Sequence, residues 1–408
     1  MGRALVFALI SAFFHFIVIR WAARSFPRLR QWRLPMAVAA GSVITFAFLT
    51  RVATLRGLVR LPSSVSALFA GEMAFVAATA LPIVLVQIVV GVVVAFVAGT
   101  RAVAARARKN QPMATPPVSQ ADGQGTELSR RLMIERGAGL VFASAAGGTF
   151  AWGAIRGRVD FETIEIVVRL PGLPRVLDGY TIAQVSDLHV GTFCDEDHLR
   201  LGFDRIVKMR PDLVVATGDL VDHDPAYAKT MADALASLRS VARDGVSAIL
   251  GNHDHYTGRS QIVRALRDSG VNILVNEGRI IRPNDGGGFA LLGVDDLYAA
   301  RLRDGGPRLA RAEASVPGDR AIVLLSHQPS SVDAWPGRVG LQLSGHTHGG
   351  QINPGGFSVA ARVMRYVHGR YETGGGTTLY VNRGFGTAGL PVRIGARPEV
   401  TKIVLVSG

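Results

Sequence analysis

The chain is 408 residues long, 48% hydrophobic and carries a formal net charge of +14, a length that allows two or three domains. The charge is uneven: residues 1–155 hold 16 Lys and Arg against 4 Asp and Glu, and the remainder holds 29 against 27. A near-neutral C-terminal region gives no reason to expect a nucleic-acid partner, and the single cysteine, Cys194, excludes an internal disulfide and a thiolate metal cluster.

The first third reads as membrane. Leu5 to Ile19 is apolar apart from His15, Leu34 to Leu49 forms a second apolar run, and Val65 to Ala98 a third, interrupted chiefly by Glu72, Gln87 and Pro82. A bilayer requires about 20 apolar residues per helix, so the third run is either one long tilted span or a pair hinged near Pro82. A fourth run, rich in Gly and Ala, extends from Gly137 to Ile155. The expected organisation is about three transmembrane helices over 1–100, a basic flexible linker over 101–136, a fourth transmembrane or signal-anchor helix over 137–155, and a soluble domain over 156–408.

Arginine placement suggests an orientation. Arg20, Arg24, Arg28, Arg30 and Arg33 follow the first run; Arg101, Arg106, Arg108, Lys109, Arg130, Arg131 and Arg136 precede the fourth. Both groups prefer the cytoplasm, so an even number of spans separates them and the third run counts once. The fourth run then carries the chain outward, which predicts a multi-pass protein of the cell membrane with its soluble domain on the extracytoplasmic side; Arg51, Arg56 and Arg60 are a counter-indication. Ser129 to Ile134 resembles a twin-arginine export signal, the alternative being two ordinary juxtamembrane arginines.

Beyond Phe161 the pattern becomes α/β. Strands are expected at 161–170, 180–185, 212–216 and 246–250, alternating with helices at 196–209, 226–242 and 261–268. Later strands, at 289–292, 321–325, 340–343, 378–381 and 401–406, lie closer together, a spacing that favours a strand-rich α/β sandwich.

Five polar clusters each follow a short apolar run: Asp187-Leu188-His189, Gly218-Asp219, Gly251-Asn252-His253-Asp254, Ser326-His327 and Gly345-His346-Thr347-His348. Loops at the carboxyl ends of sheet strands are where α/β folds place ligands. Oxygen and imidazole donors without thiolates suit Mn²⁺, Fe or Zn²⁺ and two-metal hydrolysis. In an extended segment residues two apart point the same way, so Asp187 and His189 can grip one ion, and His346 and His348 can present a joint face. His255 and Tyr256 are candidates to line the cleft and Arg383 to meet a phosphate, while Asp222, His223 and Asp224 read as a solvated turn.

These five motifs resemble those of the calcineurin-like metallophosphoesterases, over roughly residues 178–408. Ser344 to Gln351, Asn382 to Gly386 and Gly389 to Arg393 further resemble a membrane-anchored bacterial branch that includes UDP-2,3-diacylglucosamine hydrolase-like phosphodiesterases. The resemblance implies a four-layer αββα sandwich and two divalent metal ions. Asp187, His189 and His348 would hold the first ion, Asn252, His327 and His346 the second, and Asp219 would bridge them. His253 would face the substrate phosphate as imidazolium, with Asp254 orienting its ring. The expected activity is hydrolysis of a phosphoester or pyrophosphate bond in a phosphorylated small molecule or lipid at the bilayer. The alternatives are a nucleotide or nucleic-acid phosphodiesterase and a catalytically weak membrane sensor. Nothing in the sequence points to a protein partner.

Overall fold

The computed structural model describes residues 2–55, ten single positions between 76 and 100, residues 123–301 and residues 305–408. Most of the third apolar run and the linker positions 101–122 lie outside the described residues. The chain divides into two compact units, the second beginning at Trp152.

In the first unit, α1 (Gly2–Ser25) and α2 (Arg33–Leu55) are joined by a 3₁₀ segment, Pro27–Trp32. A third helix, α3 (Gly123–Trp152), begins 13 residues inside the expected linker and 14 before the expected helix. The prolines Pro112, Pro116 and Pro117 precede Gly123, whereas Thr126 to Arg136 contains neither Gly nor Pro, so nothing there breaks the helix. At Gly139 an added Cβ would come within 2.2 Å of the Trp21 ring, and this small residue lets α3 approach α1 closely. Three stretches among the described residues are long and apolar enough to cross a membrane: Ala8–Ser25, Arg28–Leu49 and Arg136–Gly157.

The second unit is built on two six-stranded mixed sheets. The first has the order β1 (Glu162–Leu170), β12 (Glu399–Ser407), β2 (Tyr180–Val185), β3 (Leu213–Thr217), β4 (Val246–Ile249), β5 (Asn272–Ile273). The second runs β10 (Gly369–Glu372), β11 (Thr378–Val381), β9 (Leu341–Ser344), β8 (Ile322–Leu325), β7 (Phe289–Gly293), β6 (Glu277–Ile281). The central pairs β2–β3, β3–β4, β7–β8 and β8–β9 are parallel. These strands are buried on both faces, which is why they read as continuous apolar runs rather than alternating ones.

Alternate residues separate the layers. Ile182, Leu213, Val215 and Ile403 of the first sheet meet Leu291, Val323, Leu325 and Leu343 of the second in the central core. Ala183, Val185, Val214 and Ala216 point the other way, onto α4 (Glu196–Met209), α5 (Ala228–Ser237) and α6 (Asn252–Asp268). Leu292 and Leu324 meet α8 (Leu309–Ala314) beyond the second sheet; a short helix, α7 (Leu297–Arg301), precedes it. The result is the expected αββα order. Helix α4 illustrates how local sequence fixes an element: the Asp195 side chain caps the His198 amide, Glu196 and Asp197 face the positive end, and Lys208 lies in the last turn.

Candidate metal centre

All five polar clusters lie where the apolar runs predicted, at the carboxyl ends of β2, β3, β4, β8 and β9, the central strands of the two sheets. The loops are unusual in backbone conformation. Asp187 (φ 52°), His189 (φ 47°), Asp219 (φ 51°), His346 (φ 75°) and His348 (φ 51°) all occupy the left-handed region. Non-glycine residues rarely do so, and such conformations concentrate at functional sites. The convergence of Asp187 with His189 therefore comes from left-handed turns, not from the extended backbone that the two-residue spacing suggested. The loops also meet tightly. A Cβ on Gly345 would fall 2.3 Å from Asp187 Oδ2, and one on Gly251 would fall 2.2 Å from Asp219 Oδ1.

Four sets of side chains among the described residues offer ligand atoms within 4.8 Å of one another: Asp187, His189 and His348; His189, Asp219 and His253; Asp219, His327 and His346; Asp222, His223 and His253. Asp219 is common to the second and third, and His189 to the first and second. His346 and His348 do not present a joint face; they part into different sets, as the family pattern implies. Within the sets, His189 Nε2 lies 3.1 Å from His348 Nε2, and His348 Nε2 lies 3.3 Å from Asp187 Oδ1. His327 Nε2 stands 3.3 Å from Asp219 Oδ2.

The donor chemistry fits divalent cations. His327 Nδ1 donates to the Thr217 carbonyl at 2.8 Å, so Nε2 is the nitrogen turned toward Asp219. That Nε2 is buried without a hydrogen-bond partner, and so are His346 Nδ1 and Asn252 Oδ1. Buried polar atoms left without a partner in a cluster of this kind are costly unless a bound ion or proton satisfies them. Burial opposes charge on Asp219, but His327 and His253 beside it hold its carboxyl well below the usual carboxylate range. Burial likewise opposes charge on His327, and Asp219 nevertheless drives the ring well above the ordinary histidine value. This mutual pull marks a site that is arranged around charge.

Four expected contacts are corrected. Asp254 does not touch the His253 ring. Its buried carboxylate accepts from the amides of Leu220 (2.9 Å), Val221 (3.1 Å) and Gly251 (2.8 Å), and so ties the β3 and β4 loops together. The His253 ring instead donates from Nδ1 to the Asp222 carbonyl at 3.1 Å. Burial, then the neighbouring His189, push its pKa down to about 4, so the ring is neutral in the ligand-free protein rather than the expected imidazolium. His255 does not line the cleft: its ring is turned inward, 2.7 Å from Asp295, because that buried carboxylate needs a donor. Arg383 is no free phosphate clamp either, being paired with Glu162 and Glu399.

Two residues were missed. Asp222, read as part of a solvated turn, is buried with Oδ1 3.3 Å from His189 Nδ1. Its position three residues after Asp219 in a loop leaving a strand was the available signal. Arg393 is 1% exposed and donates from Nη2 toward His348 Nδ1 at 3.2 Å. It ends a motif that had drawn notice only as family wording.

Comparison with known proteins agrees with this geometry. The profile of the calcineurin-like phosphoesterases matches residues 180–350. The uncharacterized metallophosphoesterase YkuE of Bacillus subtilis is 32% identical over 289 residues, covering 69% of this chain and 99% of that one. An uncharacterized metallophosphoesterase of Helicobacter pylori is 31% identical over 281 residues, covering 68% and 73%. A transmembrane protein with metallophosphoesterase domain from Danio rerio is 31% identical over 263 residues, covering 62% and 59%.

Proposed function

The chain belongs to the metallophosphoesterase family, whose members bind divalent metals, and from that premise we propose that it is a membrane-associated hydrolase using two such ions on a phosphoester or pyrophosphate bond of a lipid-linked or envelope substrate. The observation that carries the reading is the convergence of Asp187, His189, Asp219, His327, His346 and His348, from four loops, into sets that share His189 and Asp219, with a buried, unpartnered Oδ1 on Asn252 as the remaining donor of the family pattern. Asp187, His189 and His348 would hold one ion and Asn252, His327 and His346 the other, with Asp219 between them. When bound, two such cations act as Lewis acids toward phosphoryl oxygens and bring the pKa of a bound water near neutrality.

The protein's own groups then have defined tasks. Asn252, whose Oδ1 has no hydrogen-bond partner, carries an amide that also reaches the Tyr256 hydroxyl at 3.3 Å. His253 keeps its Nδ1 proton on the Asp222 carbonyl, so proton movement takes place at Nε2. An anionic phosphoryl group beside the ring restores its affinity for a proton, and as a water oxygen bonds to phosphorus and the P–O bond to the leaving group breaks, Nε2 would pass that proton to the leaving oxygen. Asp254 holds the two loops in register while this happens.

The lipid-linked part of the proposal is supported by the apolar helices and by the resemblance to membrane-anchored phosphodiesterases. We place the spans as multi-pass and the domain outside the cytoplasm, with Arg130 and Arg131 as the export signal, on the arginine distribution. One observation favours a second reading, a nucleotide diester. His223 stacks on His253 (ring centroids 5.1 Å apart, 25° between planes) and Tyr256 meets both His253 and Tyr298, forming an aromatic rim to which a planar base could stack. Both readings are tested by offering the purified full chain, with Mn²⁺ and after chelation, a chromogenic bis-phosphate, a dinucleotide and an envelope lipid extract followed by mass spectrometry. Loss of a lipid phosphate species supports the first, faster dinucleotide cleavage the second, and no metal-dependent hydrolysis of any of the three sinks both.

A further inference from the structure

Between α1 and α2 runs an open groove of about 960 Å³. One end is lined by Arg20, Arg24, Arg30 and Arg33. Arg20 and Arg24 are four residues apart and so share a helix face, while Arg30 comes from the 3₁₀ link and Arg33 from the first position of α2. Among the described residues no Asp or Glu lines the groove, and none occurs before Glu72 in the sequence. Apart from His15, whose Nδ1 donates to the Ser11 carbonyl at 2.8 Å, the rest of the wall is apolar: Phe16 and Ile19 on α1 face Ala37, Ala40 and Gly41 on α2. Those three small residues give the groove its width, since an added Cβ on Gly41 would meet nothing within 4 Å.

The dimensions agree with the polarity. From Ala12 to Arg24, and from Leu34 to Ile44, the two walls span roughly 15–18 Å at 1.5 Å per helical residue. Half of a hydrocarbon core about 30 Å thick has that depth. A groove with four guanidinium groups at its mouth and an apolar channel one leaflet deep is matched by a molecule with an anionic phosphate head and an acyl chain. Arginine forks suit phosphate oxygens in particular.

We propose that the α1–α2 groove is a binding site for an anionic phospholipid of the bilayer, its phosphate held by Arg20, Arg24, Arg30 and Arg33 and one chain lying against the small-residue face of α2. The site is separate from the metal centre and does not depend on what that centre hydrolyses.

The test uses the full chain in a mild detergent, with native mass spectrometry as the readout. Phosphatidylglycerol, phosphatidylcholine and inorganic phosphate are titrated separately. Wild type is expected to retain one phosphatidylglycerol at least 10-fold more tightly than phosphatidylcholine, with inorganic phosphate failing to compete. The double variant Arg20→Gln/Arg24→Gln should lose that preference. Ala40→Phe keeps every arginine but fills the channel, and should weaken phosphatidylglycerol binding by a similar factor while helicity by circular dichroism is unchanged. Equal retention of the two lipids by wild type, or undiminished phosphatidylglycerol binding in Ala40→Phe, would overturn the proposal. Displacement by inorganic phosphate alone would also overturn it, by reducing the groove to an anion site with no lipid selectivity.

Discussion

Asp222 Oδ1 lies 3.3 Å from His189 Nδ1, so a buried carboxylate stands beside that nitrogen. The other nitrogen, Nε2, faces Asp219 at 3.7 Å and His348 at 3.1 Å. Asp222 thus supports a ligand without needing to touch an ion. Asp222→Ala is expected to lower metal affinity by roughly 10–100-fold, the usual effect of removing a residue that orients a ligating histidine. Competition with a fluorescent chelator measures this directly, and unchanged affinity would remove Asp222 from the supporting role.

Arg393 makes the same argument at the opposite face of the centre, with a larger structural consequence. Its fully buried guanidinium donates to the carbonyls of Gly386, Arg383 and Ala396 as well as toward His348. Arg393→Met leaves three buried acceptors unsatisfied, each at a cost of about 1–3 kcal/mol. For a domain of this size a loss of about 3 kcal/mol or more lowers the melting temperature by at least roughly 6 °C. Differential scanning fluorimetry with metal saturating and with metal chelated should show the fall in both states. A fall confined to the metal-loaded state would mean that Arg393 acts on the ligand alone.

What the sequence made legible follows from where tertiary contacts take over. Tyr180–Val185 and Glu196–Met209 were readable to the residue, because an apolar run and an Asp195 cap are local signals. The clustering of the five polar motifs was readable because each stood directly after such a run. The side chains near Asn252 were not. A helix was expected only over 261–268, yet it starts at Asn252 and passes through a non-helical Gly258 (φ 160°, ψ 65°). Starting the helix nine residues early turns His255 inward to Asp295 and sends the Asp254 carboxylate beneath the β3 loop. Short edge strands, β5 at Asn272–Ile273 and β10 at Gly369–Glu372, were missed for a related reason: they are strands by pairing, with few residues and little apolar pattern of their own.

The proposed role of His253 in the chemistry, and not in metal binding, can be tested directly. Its backbone amide donates to Asp219 Oδ1 at 2.8 Å, and that bond survives replacement of the side chain. His253→Ala is therefore expected to keep its metal content while turnover of a chromogenic diester falls about 10²–10⁴-fold. Elemental analysis and steady-state kinetics on the same preparation check both halves. Wild-type turnover in this variant would remove the ring from the reaction.

A pH effect independent of the metal centre is built into α4. His198 is 5% exposed, its ring lies 5.3 Å from that of Phe161 and 5.7 Å from that of Phe385, and its Nε2 has no hydrogen-bond partner. Burial, reinforced by the Arg158 charge, pushes its pKa down to about 4. In the unfolded chain the same ring takes up a proton near pH 6.5. Between those values the unfolded state binds more protons, so stability rises with pH across the interval. His198 therefore contributes nothing adverse above about pH 6.5 and destabilises the fold progressively as pH falls toward 4, by about 3 kcal/mol in total. His198→Phe keeps a ring among the aromatic neighbours and removes the titration. The melting temperatures of wild type and variant should run parallel above pH 7 and diverge below about 6.5, with the variant retaining more stability at pH 4.5. Parallel curves over the whole range would show that the buried ring takes up its proton without cost.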